Sequence, residues 1–406
     1  MNSARGSITT LLIGSAILFL GTGLQQIVVP VRAKLEGFST TAVGVMGASY
    51  FGGFAVGCVV GPLVVRRVGH IRCFAGFAAL AASGALAFPL VVDPIAWSVL
   101  RAFTGFCLAI LYMVIESWLN EQSSNQVRGQ VLSLYIIVTN LVIIGGMLML
   151  NLYDVRQPAQ FTLIAILICL SLVPLSLTPT AAPKPIAEAR LRIGRLFRLS
   201  PVGFVGCFAI GIVEGSFWAL GPVFAEARGY PVLAITLFMS VFVVGGTLSQ
   251  WPLGTYSDRV DRRQVIVACC LGTTCTGLAL AFLELESLPA TFAVAGLHGA
   301  FMIPIYALLL AHANDYAPTD TLVETSSGLL LVYAAGAVVG PLAVAPAMDA
   351  GGPGALFVAM AVVLGALALF TAYRWARRPA GAEVERVEFV PVPKTTPSVY
   401  SLEEDD

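Results

Sequence analysis

The chain has 406 residues, of which 57% are hydrophobic and only 11% charged, and its mean hydropathy is +0.86. A soluble domain carries roughly 25% charged residues, so this composition leaves too little polar surface to cover a water-facing core. Lys and Arg (23) balance Asp and Glu (23), and with zero net charge no nucleic acid or other polyanionic partner is indicated.

Crossing a bilayer takes about 20 apolar residues per helix. Twelve stretches qualify: 8–31, 41–65, 72–92, 95–118, 129–151, 159–178, 203–225, 232–256, 264–283, 289–312, 325–347 and 354–375. They are apolar all round and too long for barrel strands, which alternate apolar and polar residues about ten at a time. The first stretch follows Arg5 but exceeds a signal-peptide core of about 7–15 residues, and no small-residue cleavage site follows it, so it is expected to stay as a membrane helix. Between the sixth and seventh spans, Pro179, Pro183 and Pro185 lead into Arg190, Arg192, Arg195 and Arg198. This reads as a linker whose basic part forms a short amphipathic helix at the anionic inner leaflet. From Pro379 the composition shifts to Glu, Pro, Val and Thr and closes on Glu403, Glu404, Asp405 and Asp406, which predicts a disordered tail. The expected organisation is a six-helix bundle over 1–178, a cytoplasmic linker over 179–202, a second six-helix bundle over 203–376 and a tail over 377–406.

Placing the N-terminus in the cytoplasm puts eighteen Lys and Arg in inner segments and only Arg32, Lys34, Arg156 and Arg228 in outer loops, with Arg101 inside a span. That bias sets both termini on the cytoplasmic side.

The halves repeat each other. Gly23 and Pro30 recur as Gly215 and Pro222. Gly52, Gly53, Gly61 and Arg66 recur as Gly245, Gly246, Gly254 and Arg259, and Gly105, Tyr112 and Asn120 as Gly299, Tyr306 and Asn314. A single glycine match is uninformative in membrane helices, but an ordered set at a nearly constant offset argues for duplication. Duplicated hydrophobic halves are a hallmark of secondary transporters, which bind substrate near the bilayer midplane. All eight cysteines lie in apolar stretches and read as small hydrophobes. No Cys or His spacing suggests a metal site, and no phosphate-binding GxxxxGK[ST] loop occurs. No cofactor is expected.

The most specific local signal is Gly254-Thr-Tyr-Ser-Asp258-Arg259-Val-Asp261-Arg262-Arg263. It resembles the G-x-x-x-D-R-x-[GD]-R-R loop of the major facilitator superfamily. The resemblance covers residues 8 to 375 and implies an all-α integral membrane fold of twelve transmembrane helices in two pseudo-symmetric six-helix bundles. A carboxylate and several guanidiniums at a helix–loop junction can form ion pairs that are remade as helices rock; a plain positive-inside cluster is the simpler alternative. The first-half copy has Val65 where Asp258 stands, so a cytoplasmic gate there needs another carboxylate, with Glu116 the substitute and Arg66, Arg67, Arg72 or Arg128 its partner. The block Tyr112-Met-Val-Ile-Glu116-Ser-Trp-Leu-Asn120, with Ser326-Ser-Gly328 and Tyr333-x-x-Gly336-x-x-x-Gly340-Pro341, is similar to the YcaD-type bacterial permease subgroup.

Ionisable residues inside spans are costly in lipid and tend to face the bundle interior or a water-filled cavity. They are Arg101 and Glu116 in the fourth span, Glu214 in the seventh and His298 in the tenth, with His312 at its end. The superfamily fold lines its central cavity with spans 1, 4, 7 and 10. Glu214, near the middle of its span, is a candidate to take up and release a proton, or else a packed structural glutamate. Gln25 and Gln26 can donate to and accept from a polar ligand or bond a neighbouring helix. Arg101, with Gly105 four residues on, resembles the R-x-x-x-G element of proton-coupled exporters. It lies near enough to the outer end to snorkel instead. Arg101 and Glu116 are about 22 Å apart along a helix and cannot pair; Glu214 or a substrate anion would serve Arg101. His298 reads as a proton relay or a packed, hydrogen-bonded histidine. Trp218, Tyr112 and Tyr306 are either cavity walls or helix packing. The glycine–proline element that exporters carry in the fifth span is replaced here by Gly145-Gly146, which weakens an exporter assignment.

The expected function is a secondary active transporter moving a small molecule across a bacterial inner membrane by alternating access, coupled to protons through Glu214, and working as a monomer in the lipid bilayer. A drug or toxic-metabolite exporter, an organic-anion importer and a non-transporting sensor are the alternatives. An enzyme is the least favoured.

Overall fold

The computed structural model describes residues 2–122, 128–177, 193–283, 287–318 and 321–377, and their regular elements are all helical. One compact unit holds α1 (Asn2–Leu35), α2 (Thr40–Val68), α3 (His70–Ala87), α4 (Pro94–Gln122), α5 (Arg128–Leu148), α6 (Ala159–Leu170) and α7 (Leu172–Leu177). The other holds α8 (Ile193–Leu199), α9 (Pro201–Ala227), α10 (Val232–Arg259), α11 (Arg262–Phe282), α12 (Leu288–Met302), α13 (Pro304–Asn314), α14 (Leu322–Gly351) and α15 (Ala355–Arg377). Twelve segments are long and apolar enough to cross a membrane, with α6–α7 forming the sixth and α12–α13 the tenth. Leu248, Trp251, Phe282, Val362 and Leu369 point outward with most of their surface uncovered, as lipid-facing positions require. Of the expected linker, Ile193–Leu199 is helical and packs Leu196 against Gly328 of α14. Positions 178–192 and the tail from 378 lie outside the described residues.

Helix starts follow the local chemistry. Side chains of Ser39, Ser200 and Asp261 accept from the N–H groups of Ala42, Gly203 and Arg263 at 3.1, 3.1 and 3.0 Å, meeting donors that the first helical turn leaves open. Between α2 and α3 the chain reverses through Gly69 alone, at φ +86°, a conformation that favours glycine. Two arginines at helix ends act as clasps within their own units: Arg32 Nη1 donates to the Val155 carbonyl at 2.8 Å and Arg228 Nη2 to that of Ala281 at 3.0 Å.

The duplication is written into the packing. In the first unit, a Cβ added at Gly53, Gly105 or Gly146 would strike the carbonyl of Ala102, Tyr50 or Leu20 respectively, so α2 crosses α4 and α1 crosses α5 in backbone contact. The second unit repeats this with Gly245 on Gly296, Gly299 on Phe242 and Gly340 on Ile212. Equivalent positions lie 192 residues apart up to α3 and α11, which open at His70 and Arg262, and 194 apart from α4 and α12, which open at Pro94 and Leu288. Two extra residues therefore fall in the α11–α12 stretch. This register corrects the match read from the sequence by one position: Gly53 corresponds to Gly245, while Gly246 packs against the Ile303 side chain.

The tenth span is broken where the fourth is continuous. Pro304 has no N–H to give the Ala300 carbonyl, and the Ser249 hydroxyl on α10 supplies the missing donor at 2.6 Å.

Candidate functional site

In the first unit the chemistry gathers on α1, α2 and α4. Arg101, only 5% exposed, sets its guanidinium carbon 4.3 Å from the ring centre of Tyr50. Its Nη2 donates to Oε1 of Gln26 at 3.3 Å. Among the described residues of this unit, no carboxylate lies within ion-pair distance of it. From Tyr50 a run of rings descends through Phe54 (centroids 6.2 Å), Tyr112 (6.1 Å), Phe19 (4.9 Å) and Tyr135 (6.0 Å). It ends where the Tyr135 hydroxyl donates to buried Glu116 at 3.4 Å. Arg101 and Glu116, too far apart to pair, are thus the two ends of one aromatic run. Gln25 is also buried, and its Nε2 has no partner among the described residues.

In the second unit Glu214 of α9 is 1% exposed and accepts a hydrogen bond from the Tyr333 hydroxyl of α14 at 2.7 Å. The Tyr333 ring lies 5.0 Å from that of Tyr306 on α13. His298 on α12 sits within a shell of Phe217, Phe242 and Phe357, with ring centres 6.0, 6.1 and 5.3 Å away. Its Nδ1 is 3.0 Å from Thr276 Oγ1. That hydroxyl donates to the Gly272 carbonyl at 2.8 Å, so the tautomer satisfying both bonds carries its proton on Nδ1 and turns a bare Nε2 toward the rings. Trp218, half-buried, stands edge-on to Phe242 at 6.0 Å.

The charged loop closes on itself inside the second unit. Arg262, buried at the start of α11, pairs with Asp258 and with Asp315, both at 2.9 Å, and donates to Ser257 at 3.0 Å. The Gly254 carbonyl in turn accepts from Ser257 at 2.6 Å. Arg263 pairs with Asp261 at 2.6 Å and reaches the Arg374 carbonyl of α15 at 3.5 Å. Burial pushes the Asp261 carboxyl up, but hydrogen bonds from the Arg263 side chain and backbone outweigh it and hold the group below the ordinary carboxylate range. Arg259 is exposed, as are Arg66 and Arg67 at the end of α2; the 192-residue register sets these two opposite Asp258 and Arg259, so Arg66 rather than Val65 stands where Asp258 does. The Arg128 side chain lies outside the described residues. In the first unit Val65 is buried, and the His70 Nε2 lies 3.1 Å from the Ser117 hydroxyl of α4. Among the described residues no cluster of three His, Cys, Asp or Glu could hold a metal ion.

Sequence reasoning named most of the charges but missed several of their partners. Tyr50, Tyr135, Tyr333 and Asp315 complete the sites. The signal that could have found the first three is a tyrosine hydroxyl inside an otherwise apolar span, which needs a hydrogen-bond partner when buried.

The family model described as Major Facilitator Superfamily matches residues 11–319 and 204–401. The chain belongs to that superfamily. Relatives described as an uncharacterized MFS-type transporter YcaD from Escherichia coli O17:K52:H18 and Escherichia coli O45:K1 are 27% and 26% identical over 365 residues, covering 89% of this chain and 94% of each relative. Among solved structures the fold is similar to the nucleoside transporter NupG, with a TM-score of 0.76 at 13% identity over 91% of this chain and 98% of that one. It is also similar to a bacterial homologue of the human lysosomal transporter Spinster, at 0.73 and 12% over 93% and 99%. The protein is a multi-pass membrane transporter of this superfamily, sharing the fold of transporters and related to YcaD-type members.

Proposed function

We propose that the protein is a secondary active transporter of a bacterial inner membrane, with both termini cytoplasmic, that moves a small molecule by alternating access and couples this to protons through Glu214. The observation that carries the reading is a carboxyl at mid-span, almost fully buried, that accepts a hydrogen bond from the Tyr333 hydroxyl. A mid-span carboxylate that accepts a hydrogen bond from a neutral hydroxyl can gain a proton while that donor stays uncharged. Tyr333 also fixes the geometry in which that exchange occurs.

The test compares metabolite and dye distribution in cells making the wild type or Glu214→Gln, at two external pH values. Cargo whose distribution follows the pH difference with the wild type but not with the variant supports coupling at Glu214. Equal accumulation by both removes Glu214 from coupling and leaves it a packing residue.

A further inference from the structure

We infer that Arg101 is the head-group site for an organic monoanion with a planar apolar body, a carboxylate being the simplest case; the inference rests on the transporter reading above. Buried charges elsewhere in the described structure are answered. Arg262 has two carboxylates, Arg263 has one, and Glu116 and Glu214 each accept from a tyrosine hydroxyl. Arg101 is different. It is inside a span, 5% exposed, and only one of its five N–H groups reaches a protein acceptor, the neutral amide oxygen of Gln26.

A guanidinium at that depth without a counter-charge is costly, and the Tyr50 face, 4.3 Å away, offsets only part of that cost. The remaining N–H donors form the planar fork that takes a carboxylate in two parallel bonds. Beside it stand Tyr50, Phe54 and Tyr112, with centres 6.2 and 6.1 Å apart and planes tilted by 35° and 55°, apolar walls against which a flat aromatic body can pack. The Gln26 amide fixes the fork from one side. An ammonium ligand would meet a like charge here, and a neutral isostere would leave the guanidinium unneutralised, so the site selects by charge first. The pseudo-equivalent position in the second unit is Ala295, so this selectivity belongs to one half alone.

The test uses the full chain in phosphatidylcholine nanodiscs, with thermal unfolding as readout and benzoate, phenylacetate and 2-naphthoate as probes against benzamide and benzylamine. The expected result is an upward shift of the unfolding temperature with at least one carboxylate and with neither control. Arg101→Gln should weaken that carboxylate about tenfold or more, and Arg101→Lys should weaken it less, each variant eluting as folded protein. Stabilisation by benzamide equal to that by benzoate, unchanged binding in Arg101→Gln, or no response to any carboxylate overturns the proposal. Stabilisation only by phosphatidylglycerol doped into the disc, dependent on Arg101, also overturns it by making the ligand a lipid headgroup. Glu214→Gln separates the two readings. Intact carboxylate binding with lost pH-driven accumulation upholds both, intact binding with intact accumulation removes only the coupling role, and lost Arg101 dependence with pH-driven transport intact removes only the anion site.

Discussion

The two units share a backbone and differ in their polar cargo. At three close crossings of main chain on main chain the halves agree, Gly53, Gly105 and Gly146 doing in one what Gly245, Gly299 and Gly340 do in the other, while Gly211 and Gly336 meet the Tyr333 and Phe208 carbonyls where the first unit has Phe19 and Val142. Where side chains face the interior, agreement ends. The first unit holds a buried cation with no described carboxylate beside it, the second a buried carboxylate beside a tyrosine. The turns after α2 and α10 diverge likewise, with an arginine–aspartate network after α10 and a histidine–serine contact after α2. A duplicated fold can keep its main backbone crossings while the chemistry buried between them changes.

The largest expected effect tests the contrast between the turns. Arg262→Gln takes a guanidinium from two carboxylates, the Asp315 side chain being 7% exposed, and breaking such a pair costs about 3–5 kcal/mol. Ser117→Ala in the first unit removes a single hydrogen bond, the one to His70, worth about 1 kcal/mol. Detergent thermal unfolding should rank them in that order, and equal losses would erase the contrast. Next comes the shared packing. Gly53→Ala and Gly245→Ala should each cost about 1–3 kcal/mol or more by overpacking against a backbone carbonyl. Gly365→Ala in α15, whose added Cβ meets open space, should be neutral or stabilising. A large difference between the two matched variants would break the register proposed for the repeat. Tyr333→Phe removes the donor to Glu214 and should cost about 1–2 kcal/mol; it should also move the pH profile of transport, which a purely structural tyrosine would leave in place.

The smallest effect is a pH dependence. Asp261 is held below its ordinary value by Arg263, so its contribution is fully present above the unfolded carboxylate pKa of about 4 and is lost as pH falls through the folded value. Wild type should therefore exceed Asp261→Asn in unfolding temperature at pH 6, and the gap should narrow below pH 4. A gap independent of pH would assign the residue's role to helix capping alone.

The fold was legible because lipid makes composition decisive: runs such as 95–118 and 203–225 have few alternatives in a chain with so little charge. The repeat was legible from glycines, though its register slipped by one at Gly53 because Gly52–Gly53 and Gly245–Gly246 offer two matches that only packing separates. The charged residues of the site stood out for the same reason that the spans did. Their partners did not, because Tyr50 and Tyr333 look in a sequence like any other aromatic residues of a membrane helix. Asp315 lay beyond the loop motif that drew attention to Arg262, and nothing short of the folded chain brings residues 53 positions apart to one ion pair.

The broken tenth span ties two residues into a shared history. Pro304 removes the donor from the Ala300 carbonyl, and Ser249 on a different helix restores it. In a bilayer a lone proline at this site would leave a bare carbonyl in hydrocarbon, while a lone serine would bond only within its own helix. The two are neutral together and unequal apart, so lineages that acquire or lose one should acquire or lose the other, and related chains should carry proline at 304 chiefly where a hydroxyl stands at 249.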